Sequence, residues 1–167
     1  MTAVMERPTL DQIWAWLDQI PDPEIPVISL VDLGVIRDAL WKGDTLHLKV
    51  TPTYSGCPAT AVINLDIQQH LRANGIDKLV LERQLSPAWT TDWISEKGRR
   101  NLQKFGIAPP PKDGEHGSYG ALLGRVVECP RCGSKTTERI SQFGSTPCKA
   151  SYRCTECLEP FDYFKCI

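Results

Sequence analysis

Residues 129–157 read CPRCGSKTTERISQFGSTPCKASYRCTEC, and this stretch decides the fold of the C-terminal part of the chain. It holds two Cys-x-x-Cys pairs, Cys129 with Cys132 and Cys154 with Cys157, and 21 residues lie between the pairs. A two-residue gap lets both thiolates of a pair converge on one ion, and two such turns form the tetrahedral four-sulfur cage that Zn²⁺ accepts. The spacing predicts an all-β zinc ribbon over residues 125–167, with zinc bound by these four cysteines.

Two other interpretations of this motif stay open. The pairs could be unrelated redox dithiols, or iron could occupy the same cage in a rubredoxin-like site. We expect the metal to be structural, because a tail of about forty residues with few large apolar side chains needs a metal to stabilise it. A closed four-ligand site also leaves no open position for catalysis.

Three cysteines lie outside the motif. The chain has seven cysteines, and Cys57 stands far in sequence from the other six. Cys148 and Cys166 are either buried as small apolar residues or, together with Cys57, form a second thiolate site for a transient iron–sulfur cluster.

Composition and charge narrow the class of protein. The 167 residues are 41% hydrophobic and 23% charged, as in globular proteins. No run approaches the ~18 apolar residues of a membrane helix, and Pro8 and Asp11 interrupt the N-terminus before a signal-peptide core forms. We expect a cytoplasmic protein without a membrane partner, in which paired cysteines bind metal. The formal net charge of −1 argues against a nucleic-acid partner.

Residues 9–107 predict a small mixed α/β domain, so we expect an α+β fold for the whole chain. The predicted elements are a helix over 9–20, strands over 35–41 and 45–51, a helix from Pro58 to Gly75, a strand over 78–85, and a helix over 91–105 capped by Thr91 or Asp92. Thr9 and Gln12 fit a capping box at the start of the first helix. The proline- and glycine-rich residues 108–124 predict a linker to the ribbon.

Cys57 lies in the loop sequence TPTYSGCP, residues 51–58. If Pro58 is the first helical residue, Cys57 is the N-cap, where unpaired amides and the helix dipole favour a thiolate. An accessible thiolate is a nucleophile or a ligand for a soft metal. The alternative is a buried cysteine that happens to precede a helix.

A second candidate feature is PDPEIP, residues 21–26, in which three prolines hold Asp22 and Glu24. Pre-organised carboxylates favour metal ligation, whereas the simpler interpretation is that Asp22 caps a local turn. No histidine is close in sequence to either feature, so no cysteine–histidine hydrolase pattern is present. The three histidines, His47, His70 and His116, fall in a strand, a helix and the linker, and we expect no ligand role for them.

Several of these segments together carry a family resemblance. DPEIPVISLVDLG, TPTYSGCPAT, SPAWTTDWI, CPRCGS and EPFDYFKCI resemble the D components of ring-epoxidising phenylacetyl-CoA oxygenase systems of phenylacetate degradation, over nearly the whole chain. Residues 9–107 also resemble the SufT-like family, which includes bacterial and eukaryotic iron–sulfur assembly factors.

The resemblance implies an accessory, non-catalytic protein that assists iron–sulfur or diiron maturation. The family's Asp-Pro-Glu segment is matched by Asp22, Pro23 and Glu24, and its cysteine after a glycine-containing loop is matched by Cys57. The implied partners are the diiron oxygenase and the reductase, which carries flavin and a [2Fe–2S] cluster. The alternative is a stoichiometric, non-catalytic structural subunit of that oxygenase. The minimal SufT-like domain has no ribbon, so the resemblance implies no role for it.

Overall fold

The computed structural model describes residues 7–111 and 126–165, and it divides the chain into two compact units, one ending at Trp89 and one beginning at Thr90. The expected α+β class is confirmed, because the first unit mixes helices with a sheet and the second contains a cysteine-bearing β region. Among the described residues, no helix is both long and apolar enough to cross a bilayer.

The first unit packs two helices against a three-stranded sheet. Its elements are α1 Leu10–Leu17, β1 Ile36–Lys42, β2 Thr45–Val50, α2 Thr60–Ala73 and β3 Leu79–Arg83. The sheet order is β1-β2-β3, with β1 and β2 antiparallel and β2 and β3 parallel. Parallel neighbours need a crossover connection, and α2 provides it.

The core of this unit follows the predicted hydrophobic periodicity. In β2, Leu46, Leu48 and Val50 are buried at alternate positions. In α2, the buried side chains are Ile63, Ile67 and Leu71, spaced by one helical turn. Each such side chain contributes about 1.5–3 kcal/mol when it is fully buried. The periodic segments therefore fix how the helices pack on the sheet.

The N-terminal capping prediction for α1 is confirmed, but that for α2 is wrong. The Thr9 side chain accepts a hydrogen bond from the Gln12 amide. In contrast, the N-cap of α2 is Ala59, and Cys57 lies two residues before it. The Cys57 carbonyl accepts from the Thr60 amide at 3.2 Å and from Thr60 Oγ1 at 2.9 Å. This three-residue turn comes before the first helical hydrogen bond, so the helix begins later than Pro58.

The second unit combines one helix with a four-stranded sheet. After a short 3₁₀ turn at Thr91–Trp93, its elements are α3 Glu96–Phe105, β4 Ile107–Ala108, β5 Thr137–Ser141, β6 Lys149–Cys154 and β7 Pro160–Phe164. The sheet order is β4-β7-β6-β5, with β4 parallel to β7 and the other pairs antiparallel. Its core contains Val127, Ala150, Phe161 and Tyr163 together with two of the motif cysteines.

The start of α3 differs from the prediction. Ser95 caps this helix by accepting from the Gly98 amide at 2.9 Å, whereas Thr91 and Asp92 belong to the preceding 3₁₀ turn, which Thr90 caps. Extended backbone at Ile94 separates the two, so residues 91–105 do not form one continuous helix.

The unit boundary also differs from the predicted boundaries of 9–107, 108–124 and 125–167. Gly106 adopts φ 90° and turns the chain from α3 directly into β4. Because β4 pairs with β7, α3 and the first predicted linker residue lie in the same compact unit as the ribbon. Most of the predicted linker (residues 112–124, including His116) and Cys166 lie outside the described residues.

Candidate metal centre and the Cys57 loop

The four motif cysteines converge on one point. Their sulfur atoms all lie within 4.8 Å of one another. The Sγ atoms of Cys129 and Cys157 are 3.7 Å apart, and those of Cys132 and Cys154 are 3.6 Å apart. A tetrahedron with metal–sulfur bonds of about 2.3 Å has edges of about 3.8 Å, whereas a disulfide bond is about 2.05 Å long. The donor set therefore fits a four-coordinate zinc ion.

Two tight turns place these sulfurs. In the first, the Gly133 amide donates to the Cys129 carbonyl, and the Cys129 amide donates to the Ser134 carbonyl, both at 2.9 Å. In the second, the Cys154 amide donates to the Glu159 carbonyl at 3.0 Å. The first cysteine of each pair is buried and the second is exposed. One side of the centre thus belongs to the core of the unit, and the other faces solvent.

The thiols of the cluster compete for protons in the absence of metal. The amide of Cys157 donates to the sulfur of Cys154 and lowers the pKa of Cys154 to about 6. The amide of Ser134 favours the Cys132 thiolate, but burial and the neighbouring sulfurs outweigh it and raise the pKa of Cys132 to about 12. The pKa of Cys157 is also raised, because burial and neighbouring sulfurs outweigh donation from the Glu159 amide.

Metal uptake near pH 7 is therefore expected to release at least two protons, from Cys132 and Cys157, since a metal-bound cysteine must be a thiolate. The affinity should fall as the pH falls, because protons compete for every sulfur, and below about pH 6 for Cys154 as well. Titrating zinc into demetallated protein with a pH indicator measures the release. Fewer than two protons per zinc would show that these cysteines do not all act as ligands.

The second turn contains a strained residue. Leu158 has φ 63° and is 67% exposed, whereas the corresponding residue of the first turn is Gly133 with φ 74°. A left-handed conformation costs a leucine about 1–2 kcal/mol, and the greater freedom of glycine in the unfolded chain returns about 0.5–1 kcal/mol of that. Leu158→Gly is thus expected to stabilise the metal-loaded protein by about 0.5–1 kcal/mol in chemical denaturation.

Gly133→Ala is the matched control for Leu158→Gly, and it should destabilise by about 1 kcal/mol. A Cβ at Gly133 would meet only Glu128 Oε1 at 3.7 Å, so its effect is conformational. Equal effects of the same sign from the two substitutions would contradict this account of the turns.

Cys57 lies half-buried in the loop between β2 and α2. Its amide donates to the Tyr54 carbonyl at 3.1 Å. From β3, the Arg83 guanidinium donates to the Ser55 carbonyl at 2.8 Å and so ties the loop to the sheet. Arg83 gave no signal in the sequence, because only the parallel pairing of β2 with β3 brings it to this loop. The loop therefore presents a thiol on an anchored backbone.

Asp22 serves a local turn. Its side chain is 6% exposed, and Oδ1 accepts from the amides of Glu24 at 2.9 Å and Ile25 at 2.8 Å. This is the simpler of the two interpretations of the PDPEIP segment. Glu24 is half-buried beside it.

The described residues contain one group of three or more potential metal ligands, which is the four-cysteine cluster. Asp22, Glu24 and Cys57 thus do not form a three-ligand site in this part of the chain. Cys148 is buried, with its Sγ 3.0 Å from Thr146 Oγ1, and it is not a member of the cluster. The second thiolate site considered from the sequence is therefore not assembled among the described cysteines.

Comparison with known proteins defines the class in terms of two domains. A family described as "Iron-sulfur cluster assembly protein" matches residues 10–77, and one described as "PaaD zinc beta ribbon domain" matches residues 115–165. The fold is shared with a crystal structure of a domain of unknown function, DUF59, from Bacillus anthracis. That structure is 23% identical with a TM-score of 0.52, and the likeness covers 55% of this chain and 89% of that one.

Two curated relatives refine this class. The D component of a putative 1,2-phenylacetyl-CoA epoxidase, a protein named as a subunit of that enzyme in Escherichia coli K12, is 48% identical over 165 residues, covering 99% of this chain and 98% of the relative. "Fe-S protein maturation auxiliary factor YitW" of Bacillus subtilis 168 is 30% identical over 93 residues, covering 54% of this chain and 90% of the relative. The chain belongs to the family of phenylacetyl-CoA epoxidase D components. The family resemblance and the zinc ribbon expected from the sequence are thus confirmed.

Proposed function

We propose that this chain is an accessory factor of phenylacetate catabolism that assists iron–sulfur or diiron maturation of the oxygenase that epoxidises phenylacetyl-CoA. One observation carries the proposal: a domain of the iron–sulfur assembly family over residues 10–77 stands in a chain that matches an epoxidase component over its full length. The clients are the oxygenase and reductase components, and the chain itself catalyses no step of the epoxidation.

Cys57 is the residue that we propose to handle iron or a cluster. It is half-buried on an anchored loop, so it can reach a metal while its backbone stays fixed. We assign Glu24 as the accompanying carboxylate and Asp22 as the residue that positions it, because Asp22 Oδ1 holds the Glu24 amide. The absence of a three-ligand set among the described residues is consistent with weak, transient binding, which delivery to a client requires.

The second unit would supply structure and docking. We propose that Cys129, Cys132, Cys154 and Cys157 hold zinc, with iron as the competing metal, because the same cage accepts both. The bound metal would fix the two turns, and their exposed outer side would face a client.

A stoichiometric structural subunit is the second candidate function, and the name of the Escherichia coli relative, which describes it as part of the epoxidase, favours this role. The two roles differ once the client is mature. Oxygenase and reductase can be co-expressed with a tagged form of this chain, purified away from it, and assayed with and without its return. Full activity without the chain is the result that an assembly factor predicts. Activity that returns only at an equal molar ratio would favour the structural role.

A further inference from the structure

A cavity in the second unit has no part in the proposed iron chemistry. It measures about 700 Å³ and lies between α3, the β4 segment and the start of the ribbon. Its buried lining consists of Arg99, Ala108, Pro110, Val127, Cys129 and Tyr163. Ligand pockets commonly enclose about 300–1,000 Å³ with a mostly apolar wall and a few polar groups, so this cavity has the size and composition of a small-molecule site.

Arg99 is the charged group of that buried lining. It is 8% exposed, and it donates to the Thr91 carbonyl at 2.7 Å and to the Pro110 carbonyl. Its buried Nε has no hydrogen-bond partner, and no carboxylate of the described residues pairs with it. A guanidinium has five N–H groups, so three remain after these two hydrogen bonds. A buried cation without a counter-ion is costly, which points to an acceptor that comes from elsewhere.

The carboxylates around the cavity do not fill this role. Glu96 and Glu128 line it too, but both are exposed and stand in water, as does Lys135. The deep part of the cavity is therefore apolar with a single positive charge. The Nε–H and an Nη–H on one edge of a guanidinium form the fork that binds the two oxygens of a carboxylate or phosphate.

We propose that this cavity binds a small organic anion, with its carboxylate or phosphate on Arg99 and its apolar body against Ala108, Val127 and Tyr163. This site is separate from the Cys57 loop and does not rest on the proposed maturation role. The alternative is that Arg99 only ties α3 to the carbonyls of Thr91 and Pro110.

The test is an amide-resolved NMR titration of the full-length, metal-loaded protein. The probes are phenylacetate and phenyl phosphate, which separate a carboxylate from a phosphate preference, inorganic phosphate, which lacks the apolar body, and the neutral phenylacetamide. We expect saturable shifts of the Ala108, Val127 and Tyr163 amides with at least one organic anion. Binding of phenylacetamide should be weaker by about tenfold or more, since it cannot form the charged pair.

Substitutions assign the binding to Arg99. Arg99→Lys keeps the charge but loses the fork, and it should weaken binding by about tenfold, while Arg99→Gln should abolish saturation. Arg100→Gln removes the same charge from the next, exposed position of α3 and should leave binding unchanged. Metal content and circular dichroism check that each variant is folded. If Arg99→Gln does not fold, the comparison of anion with amide on the unaltered protein decides.

Three results would overturn the proposal. They are no saturable shift at these amides with either organic anion, equal binding of phenylacetate and phenylacetamide, and equal weakening by Arg100→Gln and Arg99→Gln.

Discussion

Replacing Cys129 by serine is expected to abolish tight metal binding and to unfold the second unit, while the first unit stays folded. Metal binding in structural four-ligand zinc sites contributes about 10–16 kcal/mol of apparent free energy, more than the total stability of most small domains. Cys129 is 1% exposed and belongs to the core cluster of the second unit, so its loss removes both a ligand and a packing group. A serine hydroxyl is a poor substitute for a thiolate at this position.

Elemental analysis and NMR dispersion measure the two parts of this prediction. The Cys148→Ser variant is the matched control, because Cys148 is buried in the same unit but stands outside the cluster. It should keep a full equivalent of metal and lose about 1 kcal/mol of stability, as for an ordinary core substitution. A Cys129→Ser protein that keeps its metal and a folded second unit would show that the ribbon does not depend on the four-cysteine site.

The second large effect is expected from Cys57→Ser, which should fold normally and fail to support client maturation. The loop is held by backbone hydrogen bonds, from the Cys57 amide to Tyr54 and from Thr60 to the Cys57 carbonyl, and serine can form both. The stability change should therefore stay within about 1 kcal/mol. What the variant loses is the soft sulfur ligand, so iron in the client should fall to the level found without this chain.

Ser55→Ala is the control in the same loop. It removes an exposed hydroxyl and leaves the Ser55 carbonyl that accepts from Arg83. This variant should support maturation fully. Equal maturation by the Cys57→Ser protein would reduce Cys57 to a packing residue and would remove the residue-level basis of the proposed function.

Features encoded in short-range patterns could be predicted from the sequence. The Cys-x-x-Cys pairs fix both the local turns and the ligand type, so the metal cluster followed from spacing alone. The buried stripe of Ile63, Ile67 and Leu71 likewise followed from helical periodicity. The turn role of Asp22 is also local, and it was one of the two interpretations left open.

Features that depend on contacts between distant segments could not be predicted. The strand β4 is two residues long and has no periodicity of its own, and it exists because β7 pairs with it. For the same reason the sequence carries no sign of the boundary after Trp89, and its pattern places α3 in the first domain. The burial of Arg99 likewise arises from packing around Thr91 and Pro110, whereas its sequence context resembles an ordinary charged helix surface.

The central claim is that this chain loads metal into its clients, and the most direct test is the iron and cluster content of the oxygenase and reductase purified after expression with and without it. Iron is counted by elemental analysis, and the cluster is read from visible absorbance. The account predicts that, without this chain, the client polypeptides are present at normal levels but lack much of their iron or [2Fe–2S] cluster, and that the unaltered chain restores it whereas the Cys57→Ser protein does not. Clients that emerge fully loaded in its absence would contradict the account.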